Sequence, residues 1–98
     1  MQINEFEEQL DETLTMVDLW ANWCSPCKTL GPIIERVSEE SGVKLLKINV
    51  DEAKDLSSSL NVRGIPTVIF FKEGKEVDRI VGLKQASVYN DIIEKHSA

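Results

Sequence analysis

One short stretch constrains this chain more than any other: Trp20-Ala21-Asn22-Trp23-Cys24-Ser25-Pro26-Cys27-Lys28, which holds both of its cysteines. An apolar run from Met16 to Ala21 leads into it and reads as a buried strand. Beyond it, Leu30, Ile33, Ile34 and Val37 recur at i, i+3, i+4 and i+7, the period of an amphipathic helix. The cysteine pair therefore falls at a strand-to-helix junction, with Cys24 at the helix N-terminus and Cys27 one turn inside.

That placement has chemical consequences. Residues three apart on a helix lie on the same side, roughly 5–6 Å apart at Cβ. A small adjustment in the first turn brings them within disulfide reach. The open N–H groups and positive dipole end of that turn favour a thiolate at Cys24, below the free thiol pKa of roughly 8.5. Pro26 suits a first turn because it lacks an N–H and presets a helical φ. Lys28 adds positive charge nearby. The pair reads as a reversible dithiol/disulfide, with Cys24 exposed and attacking and Cys27 more buried and resolving. Two other readings stand beside it. A structural zinc site wants four ligands, and with no second Cys-x-x-Cys and a single histidine, His96, it would need a dimer to complete it. The cysteines could also be structural only.

The segment Val17-Asp18-Leu19-Trp20-Ala21-Asn22-Trp23-Cys24-Ser25-Pro26-Cys27-Lys28 closely resembles the active-site segment of the thioredoxin family. The resemblance continues through Gly64-Ile65-Pro66-Thr67 and Val81-Gly82, covering nearly the whole chain. One departure stands at its centre: Ser25 occupies a position where the family usually has Gly.

Ninety-eight residues make one domain, 1–98, with apolar content of 42%. No apolar run approaches the roughly 20 residues of a membrane span. Met1 to Leu10 lacks the basic start and apolar core of a signal peptide, so the chain is read as cytoplasmic. Thiols are kept reduced there, which favours a catalytic Cys-x-x-Cys over a structural one. Six of the 17 acids lie in residues 1–18, where no Lys or Arg occurs; the rest of the chain balances eleven acids with eleven bases. An acidic chain without a basic stripe argues against direct nucleic-acid binding.

In chain order, Met1 to Asn4 reads as a very short edge strand, and Asn4 as a helix N-cap with Glu7 completing a capping box. Leu14 to Ala21 and Val43 to Val50 read as buried strands, interrupted by Asp18 and Lys47 respectively. A charge inside a buried strand is costly unless paired, so two of opposite sign point to a pair across neighbouring strands. The alternative is that each side chain simply reaches solvent. Pro32 should kink the long helix, and Gly42 should cap its end. Asp51 to Leu60 is a weaker helix. Val68 to Phe71 and Lys75 to Val81 form a hairpin about Glu73-Gly74. The last helix, about Ala86 to Lys95, offers Val88, Tyr89, Ile92 and Ile93 as its buried face, and His96 is a solvated tail residue.

The resemblance implies an α/β thioredoxin fold, a central mixed β-sheet flanked by helices on both faces. It implies a protein-disulfide reductase, a thiol–disulfide oxidoreductase of the electron-transport and redox-homeostasis kind, using a redox-active Cys24–Cys27 disulfide. Asp18 would lie beneath Cys27 and help move its proton, and Lys47 would tune Asp18. Pro66 would be cis, with the Ile65 backbone facing outward to pair with an extended substrate segment. Substrates would dock over Trp23, Ser25, Pro26, Ile65, Pro66, Val81, Gly82 and Leu83. No metal or bound cofactor is implied. The partners implied are disulfide-containing proteins and a flavin-dependent thioredoxin reductase using NADPH, with the chain a monomer. A non-redox binding module using the same apolar patch is the alternative, and an oxidant or isomerase a third.

Overall fold

A computed structural model describes residues Met1–Ser97. Its elements are α1 (Ile3–Gln9), β1 (Thr15–Trp20), α2 (Ser25–Ser41), β2 (Lys44–Asn49), α3 (Lys54–Ser59), β3 (Thr67–Lys72), β4 (Lys75–Val81) and α4 (Ala86–Lys95). The strands form one sheet in the order β2-β1-β3-β4. β1 runs parallel to β2 and antiparallel to β3, and β3 is antiparallel to β4. The result is a mixed sheet of four strands flanked by helices, the architecture that the resemblance implies.

Side-chain alternation along the strands splits the core in two. Met16, Val68, Phe70 and Ile80 face α2 and α4, meeting Leu30, Ile34, Val37, Tyr89 and Ile93. Val17, Leu19, Ile48, Ile69 and Phe71 face the other way, against Phe6 of α1 and Leu56 of α3. β1 lies between two neighbours and under helices on both sides, which is why it reads as continuous apolar sequence. Asp18 is its one charged residue, at 1% exposure.

The N-terminus departs from the sequence-based expectation. No strand forms at Met1–Asn4; the helix starts at Ile3 with an extended Gln2 as its N-cap. The Glu5 carboxylate accepts the Gln2 N–H at 3.2 Å, so the acidic cap falls two residues earlier than the expected Asn4/Glu7 pair. The helix carries Phe6 onto Phe71, edge to face with centroids 5.4 Å apart. β2 is consequently an edge strand.

Two local signals behave as read. Gly42 caps α2 at φ 76°, its N–H on the Ser38 carbonyl at 2.9 Å. Glu73 and Gly74 both have positive φ, which a two-residue hairpin turn requires. α2 continues through Pro32 as one helix although Pro32 has no N–H to give the Lys28 carbonyl. α3 is shorter than expected because Asn49 claims the residues before it. Its side chain takes the Asp51 N–H, and its carbonyl takes those of Glu52 and Ala53.

Two other expectations fail at the C-terminal end. Val88 is 36% exposed, so α4 buries Tyr89 and Ile93 with Ile92 half-covered. His96 is not solvated tail: its side chain is 18% exposed and its Nε2 lies 3.3 Å from Asp78 Oδ2. The even positions of β4, Asp78 and Ile80, turn toward α4, and this brings the pair together.

Candidate active site

Cys24 sits where the chain leaves β1 and enters α2. Its N–H donates to the Ala21 carbonyl at 3.2 Å, and its carbonyl accepts the Lys28 N–H that starts the helix. Its sulfur accepts the Cys27 N–H at 3.2 Å, the contact of an N-cap. The two cysteines form a disulfide, with Cα atoms 5.3 Å apart. The junction seen in the sequence thus gives the expected local geometry. The expected difference in exposure is absent: Cys24 is 5% exposed and Cys27 4%. In the disulfide each sulfur covers the other, and Ala21, Trp20, Val50 and Ile65 pack around the pair.

Ile65 connects the disulfide to the rest of the predicted patch. The Ile65-Pro66 peptide is cis, as the resemblance implies. The Pro66 carbonyl accepts the Gly82 N–H at 2.8 Å, with Gly82 at φ 94°. That bond carries the β4 end alongside the cis-proline loop, where Val81 and Leu83 stand 57% and 40% exposed. Pro66 itself is buried, while Ser25 and Pro26 are exposed at the start of α2. The Ser25 hydroxyl makes no hydrogen bond to Cys24 among the described residues. Trp23 is 69% exposed, and its Nε1–H donates to Asp51 Oδ2 at 2.8 Å. Trp23 and Ile65, with Val50, Val62, Arg63 and Gly64, line a cleft of about 320 Å³.

Sequence reasoning passed over Asp51. Its signal was available: parallel β1 and β2 end at the same edge of the sheet, so the residue just after β2 lies near the loop just after β1.

On the other side of Cys27 a groove of about 270 Å³ is lined by Asp18, Trp20, Lys28, Gly31, Pro32, Glu35 and Lys47. Asp18 Oδ1 and Trp20 Nε1 are buried without a hydrogen-bond partner among the described residues. Burial pushes the Asp18 carboxyl up to about 6; Lys47 pulls it down and Glu35 pushes it further up. Asp18 and Lys47 are opposite one another in the strand register, as their sequence pattern foretold. The expected ion pair between them does not form. The Lys47 ammonium instead lies 3.5 Å from Glu35 Oε2, and Glu35 is a second residue that sequence reasoning passed over. No group of His, Cys, Asp and Glu able to hold a metal ion occurs among the described residues.

The family model described as Thioredoxin matches residues 1–95. A thioredoxin from Rickettsia bellii (strain RML369-C) is 47% identical over 93 residues, covering 91% of this chain and 86% of its own. A thioredoxin from Staphylococcus saprophyticus is 36% identical over 95 residues, covering 95% and 91%. Among solved structures, a mutant thioredoxin from Halobacterium salinarum NRC-1 superposes with a TM-score of 0.91 at 34% identity, covering 97% of this chain and 85% of that one.

Proposed function

The chain belongs to the thioredoxin family and is a thiol–disulfide oxidoreductase, and on that premise we propose the following division of labour in its site. Cys24 is the nucleophile. Its thiolate attacks one sulfur of a target disulfide, forming a Cys24–target disulfide and expelling the other target sulfur as a thiolate. Cys27 then gives its proton to the Asp18 carboxylate and attacks the Cys24 sulfur. The mixed disulfide breaks, the second target thiolate leaves, and the Cys24–Cys27 disulfide remains. Two electrons pass from the cysteine pair to the target, and the proton held on Asp18 is returned to solvent through the groove.

The observation that carries this assignment is the asymmetry of the two sulfurs. Cys24 caps α2 and accepts an N–H, an environment that stabilises a thiolate there. Cys27 borders the groove that holds Asp18, a base whose pKa near 6 suits it to take and release a proton near neutrality.

Trp23, Ser25, Pro26, Ile65, Pro66, Val81, Gly82 and Leu83 form the docking surface, Ile65 offering its backbone to an extended substrate segment. Lys47 tunes Asp18. The cycle uses no bound cofactor, because the sulfurs carry both electrons. It requires an external reductant, which we take to be a flavin-dependent thioredoxin reductase using NADPH. We take the chemistry to be cytoplasmic, where thiols are kept reduced and a Cys-x-x-Cys pair can turn over as a dithiol.

A Cys27→Ser variant tests the order of attack. Mixed with disulfide-bonded protein, it should accumulate a covalent adduct through Cys24, and Cys24→Ser should accumulate none. A Cys27→Ser variant that traps nothing, while the parent reduces the same substrate, overturns the order.

A further inference from the structure

Lys47 is the one cation facing Asp18 from the neighbouring strand, yet it does not pair with it. Its ammonium is drawn sideways to Glu35, half-exposed on α2 at the groove mouth. The pair lies over Gly31, where a Cβ would come 3.9 Å from Glu35 Oε2 and 4.0 Å from Lys47 Nζ. A Cβ there would touch the pair in ordinary van der Waals contact. Asp18 Oδ1 meanwhile has no hydrogen-bond partner among the described residues.

From this geometry we propose that Glu35 is a positioning residue of the redox site: it holds the Lys47 ammonium at the groove mouth and keeps it from closing onto Asp18. This rests on the reading that Asp18 moves the Cys27 proton. An opposite charge brought within roughly 4–6 Å lowers a carboxylate by about 1–3 units. Asp18 lies above its ordinary value instead, because burial outweighs the pull that Lys47 exerts from its place beside Glu35, and the Glu35 charge adds to the rise. A base held near neutrality exchanges its proton with Cys27 more readily than one held near 3. The other groups near Asp18 are accounted for. Lys28 and Cys27 on α2 line the same groove, the paired residue on β3 is the uncharged Val68, and the Tyr89 phenol on α4 feels the Asp18 charge.

The experiment follows the Asp18 carboxyl by NMR through a pH titration of the full-length oxidised protein. In Glu35→Gln the Asp18 midpoint should fall by about one unit, because Lys47 is released onto Asp18. In a Lys47→Met background the same Glu35→Gln change should lower the midpoint much less, since only the direct repulsion between the two carboxylates is then removed. Glu35→Asp, which keeps the charge, should restore most of the parent midpoint. An unmoved midpoint in Glu35→Gln overturns the proposal. So does an equal fall in the Lys47→Met background, because the whole effect of Glu35 would then be its direct repulsion of the Asp18 carboxylate. The pH profile of disulfide reduction separates this proposal from the reading it rests on. A midpoint that falls while the rate profile stays in place sustains the role of Glu35 and removes Asp18 from proton transfer.

Discussion

Asp18 and Lys47 stand opposite each other in the parallel register of β1 and β2, and no ion pair joins them. The carboxyl is therefore left in the core with burial as its dominant influence, raised from 3.8 to about 6. The folded protein holds this proton more tightly than the unfolded chain does. Folding is thus unpenalised below pH 4, where the carboxyl is neutral in both states, and loses stability as pH rises through 6. Removing the charge should reverse that loss. Asp18→Asn should be more stable than the parent at pH 8 by about 3 kcal/mol, with the margin vanishing near pH 4. Denaturant unfolding at the two pH values measures this, and a parent more stable than Asp18→Asn at pH 8 contradicts it.

Ser25 stands where most of the family has glycine, exposed at the first position of α2. In the disulfide its hydroxyl has no role toward Cys24. In the dithiol a thiolate appears one residue away, and the hydroxyl can donate to it. Such a bond stabilises the dithiol and makes the protein a weaker reductant. Ser25→Gly should shift the couple to a more negative potential by roughly 20–30 mV, the equivalent of about 1–1.4 kcal/mol. Equilibration against dithiothreitol and glutathione buffers reads the shift. An unchanged potential shows that the hydroxyl does not engage.

What the sequence made legible is what local pattern encodes. The strand-to-helix junction at Cys24, the cap at Gly42 and the Glu73-Gly74 turn each depend on a few adjacent residues. Asp18 and Lys47 were legible because a charge within an apolar strand demands an account. Glu35 and Asp51 were not, because each is one acid among many and gains its meaning only from a partner brought close by the fold. His96 is similar: its tie to Asp78 spans 18 residues and depends on which face of β4 meets α4. The N-terminal cap was misplaced because Gln2/Glu5 and Asn4/Glu7 satisfy the same three-residue spacing. Cys24 was expected exposed because the covering of one sulfur by the other exists only once the disulfide has formed.

The two glycines of and after α2 should respond in opposite directions to alanine. Gly42 has φ 76°, and an added Cβ would meet nothing within 4 Å, so any loss is backbone strain alone. Gly42→Ala should cost about 1 kcal/mol. Gly31 lies within the helix with ordinary helical backbone, and its added Cβ makes only van der Waals contact. Gly31→Ala should stabilise by about 0.5–1 kcal/mol. Thermal unfolding of both variants checks the signs together.

The Trp23–Asp51 bond gives the last prediction. An indole this exposed has little packing to hold it, and the 2.8 Å bond to the Asp51 carboxylate orients it beside the disulfide. If substrates dock over Trp23, a fixed ring presents its face without first losing rotamer freedom. Asp51→Ala should leave the Cys24–Cys27 potential unchanged and lower kcat/KM for protein disulfides roughly fivefold, about 1 kcal/mol, mainly through KM. Asp51→Asn retains an acceptor oxygen and should recover most of the loss. The Trp23 emission should change in Asp51→Ala and return toward the parent in Asp51→Asn. A kinetic loss equal in the two variants would instead assign the effect to the Asp51 charge, and not to the held ring.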